Sequence, residues 1–418
     1  MEKYIINGGN KLFGSVRVQT AKNAVLPILA AAVLTDGKVR LLNIPRITDV
    51  KNMVKILSCL GCKAVYEGDD LIIDSSAADC FEIPSELAHE LRSSVFLLGS
   101  VISRFHTAKI AYPGGCDIGL RPVDLHLTGL KRLGVDITEE NGYIICRCEK
   151  LCGNEIMLDC PSVGATENIM LAAVKAEGTT IIQNAAREPE IEDLQRFLNC
   201  MGAKVRGAGS GTVIIEGVKT LGGCEYHPIA DRIEAGTFLV AAAMCGGEVL
   251  LEGASAENIS SLLHKLRENG CKIRINGDKI YLESYKRLTS VKSIETQPYP
   301  GFPTDLQAQF AALCCICRGH SIITENLFET RFKYAPELRK MGADITVINR
   351  NAFIRGVERF KGAMVVAHDL RGGAALVLAG LAADGRSEIL DISHIDRGYG
   401  AFEYKLRSLG ADIVRVSV

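Results

Sequence analysis

Hydrophobic positions along the chain follow two recurring patterns. The first is a short run that is apolar nearly all round: Pro27 to Leu34, Ser94 to Ser103, Thr166 to Ala176, Ala235 to Met244, Leu306 to Ile316 and Ala374 to Ala383. Runs of this kind predict helices without a solvent face, buried on every side. Several lead through a glycine into a strand, as in Gly37 to Leu41, Gly247 to Leu251 and Gly385 to Leu390. The second pattern is an amphipathic helix that ends on a glycine and runs into two alternating strands. It occurs at Leu57 to Val65, Leu130 to Ile137, Phe197 to Val205, Leu266 to Ile273, Leu338 to Ile345 and Leu406 to Ile413. A glycine at the helix end predicts a left-handed cap, which strains glycine least. Glu67-Gly68-Asp69-Asp70 and Asn349-Arg350-Asn351 read as the turns between paired strands.

The cap glycines Gly61, Gly134, Gly202, Gly270, Gly342 and Gly410 are 73, 68, 68, 72 and 68 residues apart. The chain is therefore six copies of one unit of helix, strand, helix, strand, strand, each about 70 residues long. Six units exceed one ordinary core, so three plus three is expected. The predicted fold class is α/β, with two similar domains whose apolar helices lie inside and whose sheets lie outside. A ligand cleft is expected where two such domains meet.

Composition narrows the function. Lysine plus arginine is 48 and aspartate plus glutamate 49, so the net charge of -1 argues against a coat for nucleic acid or an acidic membrane. The longest apolar run, Ala24 to Leu34, contains Pro27 and falls short of the ~20 residues of a spanning helix. No signal peptide is legible at the N-terminus, and a soluble cytoplasmic protein is expected. The 15 cysteines are odd in number and many lie in apolar stretches, as free buried thiols do. Cys59 and Cys62 form one C-x-x-C without a second pair, and Cys146, Cys148 and Cys152 read as structural. No metal site is expected.

Function is to be sought where the repeat is broken. Pro113-Gly114-Gly115-Cys116-Asp117-Ile118-Gly119-Leu120-Arg121-Pro122 has no counterpart in the other units, and its glycines and prolines suit a lid. A cysteine in such a loop beside arginine would have a lowered pKa and be reactive, which makes Cys116 a candidate for catalysis. Lys22, Arg92, Arg232 and Arg371 recur at unit beginnings, with Arg121, Arg331 and Arg397 further on, and several precede or start apolar helices. Arginine forks and helix N-termini bind phosphate and carboxylate, so an anionic ligand is expected. Asp305 and Asp369 stand before apolar helices and read equally as caps or as functional carboxylates. No phosphate-binding loop or dinucleotide fingerprint is present, which argues against ATP-driven or nicotinamide chemistry.

At these residues the chain resembles the UDP-N-acetylglucosamine enolpyruvyl transferase family along its whole length. The resemblance is carried by Ala21-Lys22-Asn23-Ala24, Leu91-Arg92-Ser93-Ser94, Pro113-Gly114-Gly115-Cys116, Arg121-Pro122-Val123-Asp124-Leu125-His126, Ser162-Val163-Gly164-Ala165-Thr166, Arg187-Glu188-Pro189-Glu190, Asp231-Arg232-Ile233-Glu234, Phe302-Pro303-Thr304-Asp305, Asp369-Leu370-Arg371 and His394-Ile395-Asp396-Arg397-Gly398-Tyr399. It implies a two-domain inside-out α/β barrel, with 1–20 plus 230–418 as a discontinuous catalytic domain and 21–229 as the domain carrying the Cys116 lid. It implies transfer of the enolpyruvyl group of phosphoenolpyruvate to the 3-hydroxyl of UDP-N-acetylglucosamine, the first committed step of peptidoglycan synthesis. No metal or organic cofactor is implied, and a monomer is expected.

The resemblance also implies roles. Lys22, Arg121 and Arg397 hold the phosphate, Arg331 and Arg371 lie near the donor carboxylate, and Asn23 lies near the tetrahedral centre. Cys116 protonates the methylene carbon, can carry a phospholactoyl adduct and is the site of fosfomycin alkylation. Asp305 accepts the sugar hydroxyl proton. Asn23, Arg92, Arg121, Pro122, Val123, Asp124, Leu125, Ser162, Val163, Gly164, Asp305 and Phe328 line the nucleotide-sugar site. The chain departs from the family pattern at Gln19-Thr20, where Ser-Gly is expected, at Asp117 beside the lid cysteine, at Thr330 and at Gly372-Gly373. Two other readings stand beside this one: a non-catalytic UDP-sugar-binding regulator, and the enolpyruvyl transferase that acts on shikimate 3-phosphate.

Overall fold

The computed structural model describes residues 2–114 and 123–417. Cys116, Asp117, Arg121 and Pro122 therefore lie outside the described residues. The chain divides into two compact units, one holding residues 2–19 and 230–417, the other residues 20–114 and 123–229. Each contains three copies of one motif.

In the unit of residues 20–229 the inner helices are Lys22–Ala31, Leu97–Phe105 and Val163–Ala173, each touching the other two. In the other unit Arg232–Cys245, Gln307–Ile316 and Leu370–Leu381 meet in the same way. Their sequences explain their place. Ala24 through Ala31, and Leu370 through Leu381, are buried without exception, so a helix of this kind has no side to offer water. Around each trio stand three four-stranded sheets.

Every sheet has one plan. Glu155–Met157 runs parallel to Thr179–Gln183, which pairs antiparallel with Thr212–Glu216, which pairs antiparallel with Lys204–Arg206. Ile156, Ile182 and Val213 stand in register across three strands and are all buried against the helices. The motif thus opens with a strand that the hydrophobic pattern does not predict. In four repeats this strand is only Glu82–Ile83, Glu155–Met157, Ser293–Glu295 or Met364–Val366, too short to alternate visibly. In the remaining two it comes from elsewhere in the chain. Cys224–Tyr226 lies parallel to Lys38–Leu41, and Leu12–Arg17 lies parallel to Gly247–Glu252. Glu2–Asn7 is inserted antiparallel between Arg386–Leu390 and Asp412–Ser417, where it supplies the final strand of the sixth sheet.

The inner helices also begin earlier than their apolar runs. Lys22, Val163, Arg232 and Leu370 open helices that the pattern starts at Pro27, Thr166, Ala235 and Ala374. The Ser94 run begins as a 3-10 helix, Arg92–Phe96, before Leu97–Phe105, and Gln307–Ile316 follows the 3-10 turn Thr304–Leu306. The first turns hold polar or small residues such as Lys22, Asn23, Gly164, Arg232 and Arg371, which apolar periodicity registers weakly.

The six cap glycines all adopt positive φ, between 88° and 107°. Gly342 has open space around its Cα, whereas a side chain on Gly356 would stand 1.7 Å from the Cys317 carbonyl oxygen. Gly342→Ala is therefore expected to cost about 1 kcal/mol, the strain of the left-handed backbone alone. Gly356→Ala should cost several times more, because one backbone must move off another. Urea denaturation midpoints of the two variants check this, and equal losses would contradict it.

Candidate functional site

In the unit containing residues 230–417, two arginines close on one carboxylate. Asp305 lies in the 3-10 turn Thr304–Leu306, immediately before an inner helix. Arg331 Nη2 donates to its Oδ1 at 2.7 Å and Arg371 Nη2 donates to its Oδ2 at 3.0 Å. Both guanidiniums are almost completely buried. Arg331 Nε and Arg371 Nη1 are buried donors with no partner among the described residues. An N–H left in that state costs free energy until an acceptor arrives, so the pair is prepared for an anion. Burial works against the charge on Arg371, but Asp305, Tyr399 and Asp231 outweigh it and hold the guanidinium charged.

The surroundings fix this cluster. Glu325 is wholly buried and accepts from Thr296 Oγ1 and Thr304 Oγ1 at 2.8 Å each, from Leu327 N–H at 2.9 Å and from Phe328 N–H at 3.2 Å. It thereby ties Phe328 to the residue that precedes Asp305. The Arg331 guanidinium carbon stands 5.8 Å from the Phe328 ring centre. The Arg371 guanidinium carbon stands 5.4 Å from the ring centre of buried Tyr399. Glu325 went unnoticed in the sequence; nothing in its local pattern distinguishes it from a loop carboxylate.

The two ambiguous aspartates separate here. Asp369 caps the helix Leu370–Leu381, accepting from Arg371 N–H at 3.0 Å and Gly372 N–H at 2.9 Å. Asp305 gives one oxygen to each arginine. The Gly372-Gly373 departure has a packing reason. A side chain on Gly372 would stand 2.8 Å from Asp369 Oδ2, and one on Gly373 would stand 2.8 Å from Ile395 Cγ1. Arg397 follows the short helix Ser393–Asp396 and is half-buried. Arg415 braces that helix, donating to Asp396 at 2.6 and 3.0 Å. Arg232 lies over the Tyr299 ring at 5.8 Å.

In the other unit, Lys22 and Asn23 are the first two residues of an inner helix. Lys22 Nζ stands 3.2 Å from Oδ2 of buried Asp49. Asp49 is a further residue that sequence reasoning passed over, since it reads as an ordinary first-turn carboxylate of Thr48–Cys59. Val123 is buried and precedes the helix Asp124–Arg132, which leaves Asp124 exposed and Leu125 half-buried. Leu125 lines a cavity of about 500 Å³ with Thr128, Arg132, Asp159 and Gln183. Ser162 caps the inner helix that begins at Val163, accepting from Ala165 N–H at 3.3 Å.

Gly164 is where three side-chain positions meet. A Cβ there would stand 3.0 Å from His126 Cε1 and 3.1 Å from Phe96 Cε1. His126 is buried. Gly99 N–H donates to Asn168 Oδ1 at 2.7 Å, which turns Asn168 Nδ2 toward His126 Nδ1 at 3.1 Å. Nδ1 is then the acceptor and Nε2 carries the proton. Burial, and secondarily Arg92, lowers the His126 pKa to about 3. Arg92 itself donates to the Pro113 carbonyl at 3.2 Å. One turn into the helix Val163–Ala173, Glu167 is completely buried, and burial, then Glu190 and Glu188, raises its pKa well above the ordinary carboxylate value.

Among the described residues no group of three or more His, Cys, Asp and Glu side chains is placed to hold a metal ion. No described helix is long and apolar enough to cross a membrane.

Comparison with known proteins adds the following. The family model for EPSP synthase (3-phosphoshikimate 1-carboxyvinyltransferase) matches residues 6–406. A protein of Caldanaerobacter subterraneus subsp. tengcongensis named UDP-N-acetylglucosamine 1-carboxyvinyltransferase 2 is 54% identical over 416 residues, covering 100% of both chains. A protein of the same name from Clostridium tetani is 49% identical over 418 residues, again covering 100% of both. Among solved structures, the enolpyruvyl transferase NikO from Streptomyces tendae superposes with a TM-score of 0.89 at 26% identity, covering 100% of this chain and 99% of that one. EPSP synthase from Acinetobacter baumannii superposes with a TM-score of 0.77 at 18% identity over the whole of both chains, a likeness of fold.

The buried imidazole has a measurable consequence. The unfolded chain binds a proton near pH 6.5 that the folded chain refuses until about pH 3. Stability from neutral His126 is thus complete above pH 6.5 and is lost as the pH falls. At pH 5 the loss should be about 2 kcal/mol. Urea unfolding of the chain and of His126→Gln between pH 7 and pH 5 checks this. The stability difference between them should shrink toward pH 5, and a difference constant with pH would refute it.

Proposed function

The chain belongs to the EPSP synthase family of enolpyruvyl transferases, and we propose that it transfers the enolpyruvyl group of phosphoenolpyruvate to the 3-hydroxyl of UDP-N-acetylglucosamine, releasing phosphate. The observation that carries this reading is the buried pair Arg331 and Arg371, each with an open N–H and both turned on Asp305. Two fixed cations with open N–H groups suit the carboxylate of phosphoenolpyruvate. The choice of acceptor is supported by relatives about half identical over the full length whose names specify UDP-N-acetylglucosamine. In this reading the product enters peptidoglycan synthesis, and the enzyme acts in the cytoplasm.

The chemistry asks for a base and an acid. The sugar 3-hydroxyl attacks C2 of phosphoenolpyruvate while C3 takes a proton, giving a tetrahedral ketal. Loss of a C3 proton and cleavage of the C2–O bond then expel phosphate. Asp305 is assigned to the hydroxyl proton. Held by two guanidiniums, its carboxylate is a weak base. A donor carboxylate arriving at the same guanidiniums would compete for them and free Asp305 to accept the proton. Lys22 and Arg397 are assigned to the phosphate with Arg121, and Asn23 to the tetrahedral centre. Cys116, outside the described residues as Arg121 is, is assigned the proton for C3. Arg92, Val123, Asp124, Leu125, Ser162, Val163, Gly164 and Phe328 are assigned to the nucleotide sugar with Pro122. Neutral His126 joins them as an Nε2–H donor beside Gly164.

Phosphate release from phosphoenolpyruvate tests the reaction. It should require UDP-N-acetylglucosamine, fail with shikimate 3-phosphate, and yield a sugar nucleotide heavier by one enolpyruvyl group. Binding of the UDP-sugar without release would replace this reading with that of a regulator. Asp305→Asn should lower kcat by about 100-fold or more. Cys116→Ala should be nearly inactive, whereas Cys116→Asp should turn over and resist alkylation by fosfomycin. Full activity of Cys116→Ala would remove Cys116 from its assigned role.

A further inference from the structure

Gln19 stands where the family pattern has serine, and all four of its hydrogen-bonding groups are engaged. Its side chain holds the loop that follows Arg397 at two points. Nε2 donates to the Gly398 carbonyl at 2.7 Å, and Oε1 accepts from Gly400 N–H at 3.0 Å. Its backbone is anchored as firmly. The Gln19 N–H donates to Glu234 Oε2 at 2.7 Å, and its carbonyl accepts from Asp231 N–H at 2.8 Å. Glu234 is itself wholly buried and accepts from Lys405 Nζ at 2.7 Å through its other oxygen.

The loop so gripped carries chemistry and strain. Arg397 opens it. Tyr399 sits between the two gripped residues, buried, with its hydroxyl 2.8 Å from Thr237 Oγ1 and 3.2 Å from Gln309 Nε2. Its ring lies against the Arg371 guanidinium. Ala401 closes the loop in the left-handed region at φ 50°, a conformation alanine holds only under restraint. A serine at position 19 would carry its hydroxyl two bonds nearer the backbone than the Gln19 amide that makes both contacts.

We propose that Gln19 is a positioning residue for the donor site: it fixes the backbone that follows Arg397, and through Tyr399 the side chain of Arg371. The proposal rests on the functional reading above. It is specific to the donor, because the residues it reaches are the ones assigned to the phosphate and the carboxylate.

Gln19→Met keeps the length of the side chain and removes both hydrogen bonds. Gln19→Glu keeps the acceptor for Gly400 and removes the donor for Gly398. For each, amide exchange at Gly400 and separate KM values for the two substrates should be measured. Gln19→Met should exchange faster at Gly400 and raise the phosphoenolpyruvate KM about tenfold, the loss of one to two hydrogen bonds. The UDP-N-acetylglucosamine KM should stay within about twofold of its starting value, and Gln19→Glu, which sets a carboxylate oxygen against the Gly398 carbonyl, should raise the phosphoenolpyruvate KM as well. A merely structural role would lower thermal stability and move both KM values together. Turnover with an unchanged phosphoenolpyruvate KM in Gln19→Met, or equal rises in both KM values, overturns the proposal. If Gln19→Met does not fold, an unchanged phosphoenolpyruvate KM in Gln19→Glu overturns it instead. No phosphate release by the unsubstituted chain would defeat the functional reading first, and the positioning role with it.

Discussion

A helix that is apolar on every side has to be enclosed, and that requirement organises both units. Three such helices cover part of one another, and three sheets cover what remains. Along the helix sides polar groups are few, and Asn168, Thr237 and Gln309 there bond to groups inside the core. Charge and hydrogen-bonding capacity therefore emerge at the helix ends, above all in the first turn, where N–H groups lack intrahelical partners. Lys22, Asn23, Val163, Gly164, Arg232 and Arg371 all lie in such first turns. The enclosure that makes the core is also what concentrates the candidate chemistry.

The Asp305–Arg331–Arg371 cluster shows the cost of that arrangement. Two buried guanidiniums share one carboxylate, and each keeps an unused donor. Desolvating cations without full compensation is unfavourable, so a cluster like this is poor as a device for stability. It is well suited to receive an anion, because the energy missing from the free protein is recovered on binding. The buried carboxylate of Glu325 illustrates the opposite case. It accepts four hydrogen bonds and serves only to hold the turn in shape.

Much of the fold was legible in the linear pattern. The sixfold period, the inner and outer helices and the left-handed caps follow from apolar runs and glycine spacing, and the caps all have positive φ. The opening strand of each repeat was not legible. A strand of two or three residues is stabilised by its neighbour across the sheet, and local sequence carries almost none of that. The pattern starts the inner helices late for a related reason, since their first turns hold polar or small residues. For the site, motif resemblance named Asp305, Arg331 and Arg371 but could not say that they contact one another. Asp49, Glu325 and Gln19 acquire meaning only from partners 27, 29 and 379 residues distant along the chain.

The sequence by itself determined which segments must be buried, how often the unit repeats and which residue types are available for anion chemistry. These follow from side-chain character and spacing, which are local. Only the tertiary structure decided that Glu2–Asn7 completes a sheet with Asp412–Ser417, that Asp369 caps a helix while Asp305 meets two arginines, and that His126 stays neutral. Each of those depends on which distant groups share a water-poor space, and desolvation and pairing there override what any residue would do alone.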